Sequence, residues 1–254
     1  MSANIIRFNT NLGQQKPENI VHKENPCPFC HPDSLRDIIA VEDDMIFLRN
    51  LYNVIDDAEL FVLIECKDCG TDMPDYSREY MHKLIRFGVR QWNELIDSGR
   101  FRSVLFFKNH GPLSGGTMRH AHMQIVGLNN IENNTLYTDE DFDGIDIDTR
   151  NGVTINAATK PRLGFSEFNI LAENNDALDE IADYIQLSLK YFRQYVPRAK
   201  DNYNIFFYRQ DGKIRVKVMP RFPTSPLFVG YDLRILPYSI NDAVPRMKKM
   251  CKEL

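Results

Sequence analysis

Within eighteen residues the chain places Phe107-Lys-Asn-His-Gly111, then Gly115-Gly-Thr117, then His120-Ala-His-Met-Gln124. Side chains on a strand alternate direction, so His120, His122 and Gln124 would share one face while Ala121, Met123 and Ile125 pack on the other. Three polar groups then converge beside a glycine-rich turn. Backbone amides in such a turn can approach a phosphate closely, and a neutral imidazole on the adjoining strand can attack phosphorus.

The second chemical signal is the cysteines. Cys27-Pro-Phe-Cys30 and Cys66-Lys-Asp-Cys69 form two Cys-x-x-Cys pairs, and Cys251 stands alone near the C-terminus. In a reducing compartment such pairs bind metal or do redox work more often than they form structural disulfides. Thiolates and imidazole suit zinc with its tetrahedral preference. One ligand set consists of the four paired thiolates, as in a zinc ribbon.

Asn-x-Gly (Asn109, Gly111), then Gly115, Thr117 and His-x-His-x-Gln resemble the active-site segment of galactose-1-phosphate uridylyltransferases. These form a branch of the histidine triad superfamily, with diadenosine tetraphosphate phosphorylases as relatives. The resemblance implies that His122 is the nucleophile, with Gln124 and Thr117 beside it, and that Asn109, Gly111, Gly115 and Gly116 bind substrate. It also implies a second zinc set, Cys27, Cys30, Cys69 and His120, because the segment 64–74 is similar to the one carrying the family's third ligand. That set leaves Cys66 free, and it would fix His120 and so hold His122, two residues on, at the phosphate. An all-thiolate site would leave His120 unanchored.

Further along, Phe47-Leu-Arg-Asn50 resembles the nucleotide-contacting segment, with Leu51 where the family has an aspartate. The stretch Phe228-Val-Gly-Tyr-Asp232 resembles the sugar-contacting one, with Asp232 for a glutamate, so Tyr231 and Asp232 are candidate substrate ligands; a strand end with a capping carboxylate reads equally well. A second metal site of the family uses histidines where this chain has Arg215 and Lys217, which implies that this metal is missing; those cations face phosphate or pair at the surface.

These residues need elements to hold them. Apolar runs predict strands over 45–49, 60–65, 103–108 and 119–128, with a helix over 76–96 between the second and third. The same order recurs about a hundred residues later: strands over 153–157, 165–171, 204–208 and 213–219, and a helix over 177–196 that Asn175 or Asp176 can cap and Pro197 follows. The expected fold is α+β: two mixed, antiparallel-rich sheets with crossover helices, each a histidine-triad-like unit, in one pseudo-symmetric body. Residues 1–128 would be the catalytic, zinc-binding half, the acidic Asn-rich stretch 129–151 a solvated linker, and 152–254 a half without the histidines.

Composition fits a soluble enzyme. With 254 residues and 43% hydrophobic content, the chain can bury a substantial core. It has no apolar run of about eighteen residues, and positions 1–17 are polar, so neither a membrane span nor a secretory leader is expected and the cytoplasm is. A net charge of -4 with no long basic block argues against a nucleic-acid partner. The expected partners are a nucleotide sugar or dinucleotide and a phosphate acceptor; a homodimer is compatible with the sequence.

The expected reaction is a two-step nucleotidyl transfer through a nucleotidyl-histidine. An amide at Gln124 can hold a phosphate oxygen but cannot protonate a leaving group or activate water. By the resemblance, glutamine there goes with transferases and histidine with hydrolases. A dinucleoside polyphosphate phosphorylase or hydrolase and a non-enzymatic zinc-bound nucleotide sensor are the alternatives.

Overall fold

The computed structural model describes residues 5–20, 22–132 and 137–254. Among the described residues ten strands form one sheet: β1 (Ile38–Glu42), β2 (Met45–Arg49), β3 (Ala58–Ile64), β4 (Ser103–His110), β5 (His122–Leu128), β6 (Gly144–Arg150), β7 (Val153–Ala158), β8 (Phe168–Ala172), β9 (Tyr203–Gln210) and β10 (Lys213–Pro220). Their order is β1-β2-β3-β5-β4-β9-β10-β8-β7-β6, and every neighbouring pair is antiparallel. Read inward from either edge the order is the same, each strand of one half being matched by the strand numbered five higher.

The two sheets expected from the sequence are therefore one. β4 and β9, which would each have been an exposed edge, pair with each other from Phe106↔Phe207 to His110↔Tyr203. An unpaired edge leaves a row of open N–H and C=O groups, and joining the halves removes two such edges. Phe106 and Phe207 stack across the seam with centroids 4.4 Å apart.

Two long helices lie on one face. α2 (Arg78–Asp97) is capped by Ser77, whose hydroxyl accepts from the Tyr80 amide, and it buries Met81, Leu84, Ile85, Phe87 and Trp92. α3 (Leu178–Tyr195) buries Ile181, Ile185, Leu189 and Phe192 at the same helical spacing. Gly88 lets α2 sit close to the sheet, since a Cβ there would lie 2.8 Å from the Phe106 ring. The core under both helices includes Phe47, Phe61, Phe106, Met123, Ile125, Phe168 and Val216. Because Met123 and Ile125 face this core, His122 and Gln124 face the opposite side.

The chain also contains α1 (Thr10–Gly13), α4 (Pro226–Tyr231) and α5 (Ile240–Cys251). Residues 129–151, read as a solvated linker, are only partly loop. They include a 3-10 turn over Asp139–Phe142 and the edge strand β6, while 133–136 lie outside the described residues. Acidic residues alternating with Ile145 and Ile147 suit an edge strand, where charge discourages further pairing. Among the described residues no helix is long and apolar enough to cross a membrane.

Candidate active site and metal centre

A cavity of 320 Å³ opens on the face away from the long helices. Its walls bring together Asn50, Asn109, Gly115, Gly116, Thr117, His122 and Gln124, drawn from β4, β5, the turn between them and the end of β2. The remaining residues expected to bind substrate lie elsewhere. Gly111 opens the turn at φ 81°, where a Cβ would meet the Asp201 carbonyl oxygen at 2.1 Å, so it shapes the loop instead of lining the cavity. Tyr231 is exposed at the end of α4, and Asp232 follows it in left-handed conformation as the cap of that helix; neither is on the wall.

His122 is buried, and its Nδ1 lies 2.8 Å from the His120 carbonyl oxygen. A carbonyl can only accept, so Nδ1 carries the proton and Nε2 keeps its lone pair. Burial pushes the imidazolium down to about 4 even though that hydrogen bond opposes the shift, so the ring is neutral at pH 7. Phe29 meets the ring edge-on at 5.5 Å and His120 at 5.9 Å.

Asn109 is oriented from the other half of the chain. Its Oδ1 accepts from Asn204 Nδ2 at 2.6 Å, and Asn204 Oδ1 in turn accepts from Arg221 at 2.5 Å. The Asn109 amide nitrogen is thereby left as the donor available to a ligand. The glycine amides behave otherwise than expected. Gly115 N–H donates to the Pro112 carbonyl and Gly116 N–H to the Gly111 carbonyl, so both close the turn on itself instead of being left to cradle an anion.

Cys27, Cys30, Cys69 and His120 place one donor atom each within 4.8 Å of one another. His120 Nε2 donates to the Cys66 carbonyl at 2.7 Å, which turns the Nδ1 lone pair toward Cys27 Sγ at 3.6 Å and Cys30 Sγ at 3.5 Å. A tetrahedral ion with bonds of about 2.0 Å to nitrogen and 2.3 Å to sulfur separates its ligands by roughly 3.5–3.8 Å, so the donor set fits a metal ion. Cys66 turns away, its Sγ lying 3.3–3.4 Å from Asp68 O, Thr71 Oγ1 and Tyr76 Oη. The geometry therefore gathers the mixed set and not the four paired thiolates.

A charged cluster sits under the same strand ends on the helix side. Lys108 is fully buried between Glu65 and Asp72, with Asp72 Oδ1 at 2.9 Å. Tyr203 donates to Asp72, Tyr76 donates to Glu65 at 3.2 Å, and His110 lies 3.5 Å from Asp72 while stacking on Tyr203. Burial opposes ionisation of Asp72, but Lys108 and His110 outweigh it and hold the carboxyl at about 2; burial pushes Glu65 up, with Lys108 opposing. Sequence reasoning missed this cluster. Its signal was a lysine in the inward register of Phe106, where a strand would otherwise carry an apolar residue. Asn204, Arg36, Asp37 and Lys16, the last three on the cavity wall, were missed as well.

In the second half, Arg215 pairs with Asp139 at 2.9 Å, and Lys217, itself buried, bonds Asn169 Oδ1 and the Asp141 carbonyl with Glu167 at 3.5 Å. Neither cation lines the cavity.

With this geometry established, comparison with known proteins places the chain. The N-terminal and C-terminal domains described as "domain of unknown function (DUF4931)" match residues 8–131 and 133–251. A crystal structure of a DUF4931 family protein from Bacillus cereus is 36% identical, covering 85% of this chain and 99% of that one with a TM-score of 0.77. The chain belongs to the DUF4931 family. The DUF4931 chain is also similar to a GalT-like protein of Arabidopsis thaliana (16% identity, 87% and 90% covered, TM-score 0.69). An ADP-glucose phosphorylase of the same plant, solved with bound ADP-glucose, gives 14% identity, 90% and 93% covered, and TM-score 0.69. At these identities the likeness is one of fold, and at that level the resemblance read from the sequence holds. A di-/tripeptide transporter of Lactobacillus helveticus is 36% identical over 81 residues, so the chain spans only 16% of that relative's length.

Proposed function

We propose that this DUF4931 protein is a nucleotidyltransferase that works through a covalent nucleotidyl-His122 intermediate on a nucleoside diphosphate sugar. The observation that carries this reading is the neutral His122 imidazole, its proton fixed on Nδ1 and its Nε2 lone pair free, in the wall of a cavity large enough for a nucleotide. Nε2 attacks the alpha-phosphorus and expels the sugar phosphate; phosphate or another sugar phosphate then takes the nucleotide back. Phosphoryl transfer needs positioning and charge stabilisation more than covalent help, and the Asn109 and Gln124 amides with the Thr117 hydroxyl supply donors for the non-bridging oxygens. The similar fold of an ADP-glucose phosphorylase and a GalT-like protein supports this reaction class.

Zinc is the metal that Cys27, Cys30, Cys69 and His120 would hold. Four protein ligands leave no open position, so the ion would act by fixing the strand entry that carries His122. Thiolate ligands of this kind fit a reducing cytoplasm.

Intact-mass measurement after mixing with nucleoside diphosphate sugars tests the reading. Wild-type protein gains the mass of one nucleoside monophosphate unit and His122→Ala gains none; an adduct surviving in His122→Ala would overturn the assignment.

A further inference from the structure

The cavity runs across the sheet. From Gln124 the register passes to Val62, to Leu48 and to Ile38, three strand spacings or roughly 14 Å from β5 to the sheet edge. The cavity wall between His122 and β1 is thus long enough to carry the base of a nucleotide whose phosphate lies at His122. Leu48 and Val62, both buried, share a small apolar cluster there with Phe29 and Leu35, and all four line the cavity. They form an apolar surface against which a base can lie flat.

At the far end of that surface stand Arg36 and Asp37. Both line the cavity, and Asp37 is the one carboxylate on its wall among the described residues. Asp37 has φ 53°, and this left-handed residue breaks the alternation that would otherwise send consecutive side chains to opposite sides. Its carbonyl accepts from the Arg49 amide at 3.0 Å, which pins the backbone to the end of β2. Both are exposed on the cavity wall, and within the described residues neither has an ion-pair partner, so each is open to a ligand. Asn50, by contrast, accepts the Tyr52 amide at 2.9 Å in its own turn, and the Leu51 side chain beside it offers no polar atom.

We infer that Arg36 and Asp37 read the nucleobase, and that the base they select is guanine. Guanine presents two acceptors, O6 and N7, that match a guanidinium fork, and two donors, N1–H and N2–H, that match a carboxylate. Adenine, cytosine and uracil satisfy at most one of the two side chains in bidentate fashion. This inference deepens the proposed function, since it rests on the phosphate lying at His122.

The test is equilibrium binding, which needs no turnover. The metal-loaded full chain is titrated calorimetrically with GMP, AMP, UMP and CMP, alongside Asp37→Asn and Arg36→Met; asparagine tolerates the left-handed conformation, so Asp37→Asn keeps the fold. GMP is expected to bind about tenfold more tightly than the other three, and each variant to lose about tenfold in GMP affinity. Another nucleotide binding as tightly as GMP, no binding of any of the four, or unchanged GMP affinity in Asp37→Asn would each overturn the inference. GMP selectivity without an adduct from a guanosine diphosphate sugar would uphold the base reading while defeating the covalent mechanism, so the two failures are separate.

Discussion

His120 and His122 sit two residues apart and use opposite nitrogens. His120 spends Nε2–H on the Cys66 carbonyl and turns Nδ1 to the thiols, whereas His122 spends Nδ1–H on the His120 carbonyl and keeps Nε2. In the proposed mechanism, the histidine that would ligate the metal thus also orients the one that would attack phosphorus. Gln124, next on the same face, lines the cavity and has, in the proposed reaction, the narrower task of holding a phosphate oxygen. Gln124→Ala is expected to slow adduct formation about 10²-fold with nucleotide affinity changed less than threefold, as for loss of one transition-state donor; rapid-quench kinetics beside calorimetry measures both. Equal losses in rate and affinity would show that the amide binds ground and transition states alike. Lys108, buried between two carboxylates, has a structural part instead. Lys108→Met leaves Glu65 and Asp72 buried without their cation, so a loss of about 3–5 kcal/mol in urea denaturation is expected. An unchanged midpoint would contradict the buried-pair reading.

The helices are joined through Asp183 of α3. Its carboxylate, nearly buried, accepts from Arg78 Nε at 2.9 Å and His82 Nε2 at 2.8 Å on α2. Burial alone would raise the Asp183 pKa, but the bonds from Arg78 and His82 outweigh it and lower it. A depressed carboxylate contributes stability that is full above its unfolded value near ~3.9 and is lost as pH falls through the folded one. Asp183→Asn should therefore be less stable at pH 7 by about 1–2 kcal/mol and lose less on acidification below pH ~4, as thermal melts across that range would reveal. Parallel pH profiles for both proteins would refute it. Both long helices and eight strands were legible in the sequence because each carries its own periodic apolar face. β1 and β6 were not. Both are edge strands with one solvated side, and in β6 the charges hide the alternation of Ile145 and Ile147. The candidate-site motif was legible because its residue types are unusual on a strand. Asn204 and the Arg36–Asp37 pair gain meaning only from β9 and β1 folding beside β4 and β2, a proximity no local pattern encodes.

At the scale of the molecule, the Cys27–Cys30–Cys69–His120 cluster and the β4–β9 seam make one prediction together. Cys27 and Cys30 precede β1, Cys69 follows β3 and His120 precedes β5, so a bound ion would tie three separate stretches of the first half. The seam carries five paired positions from Phe106 to His110, with Phe106, Phe207 and Trp92 packed beneath it, so the first half has no edge along which to come away alone. Metal removal should then lower the Tm of the whole chain as one transition, by more than about 10 °C if the site contributes several kcal/mol at ~2–4 °C per kcal/mol. Cys69→Ser should reproduce the shift and Cys66→Ser should not, because Cys66 stands outside the cluster. Since the thiols must lose protons to bind, metal affinity should fall as pH falls, and a chelator should strip the ion more readily at pH 6 than at pH 8. Calorimetry with and without chelator decides between architectures: a single shifted transition is what one continuous sheet requires, whereas two transitions with only the lower one metal-dependent would mean that the halves fold as separate bodies.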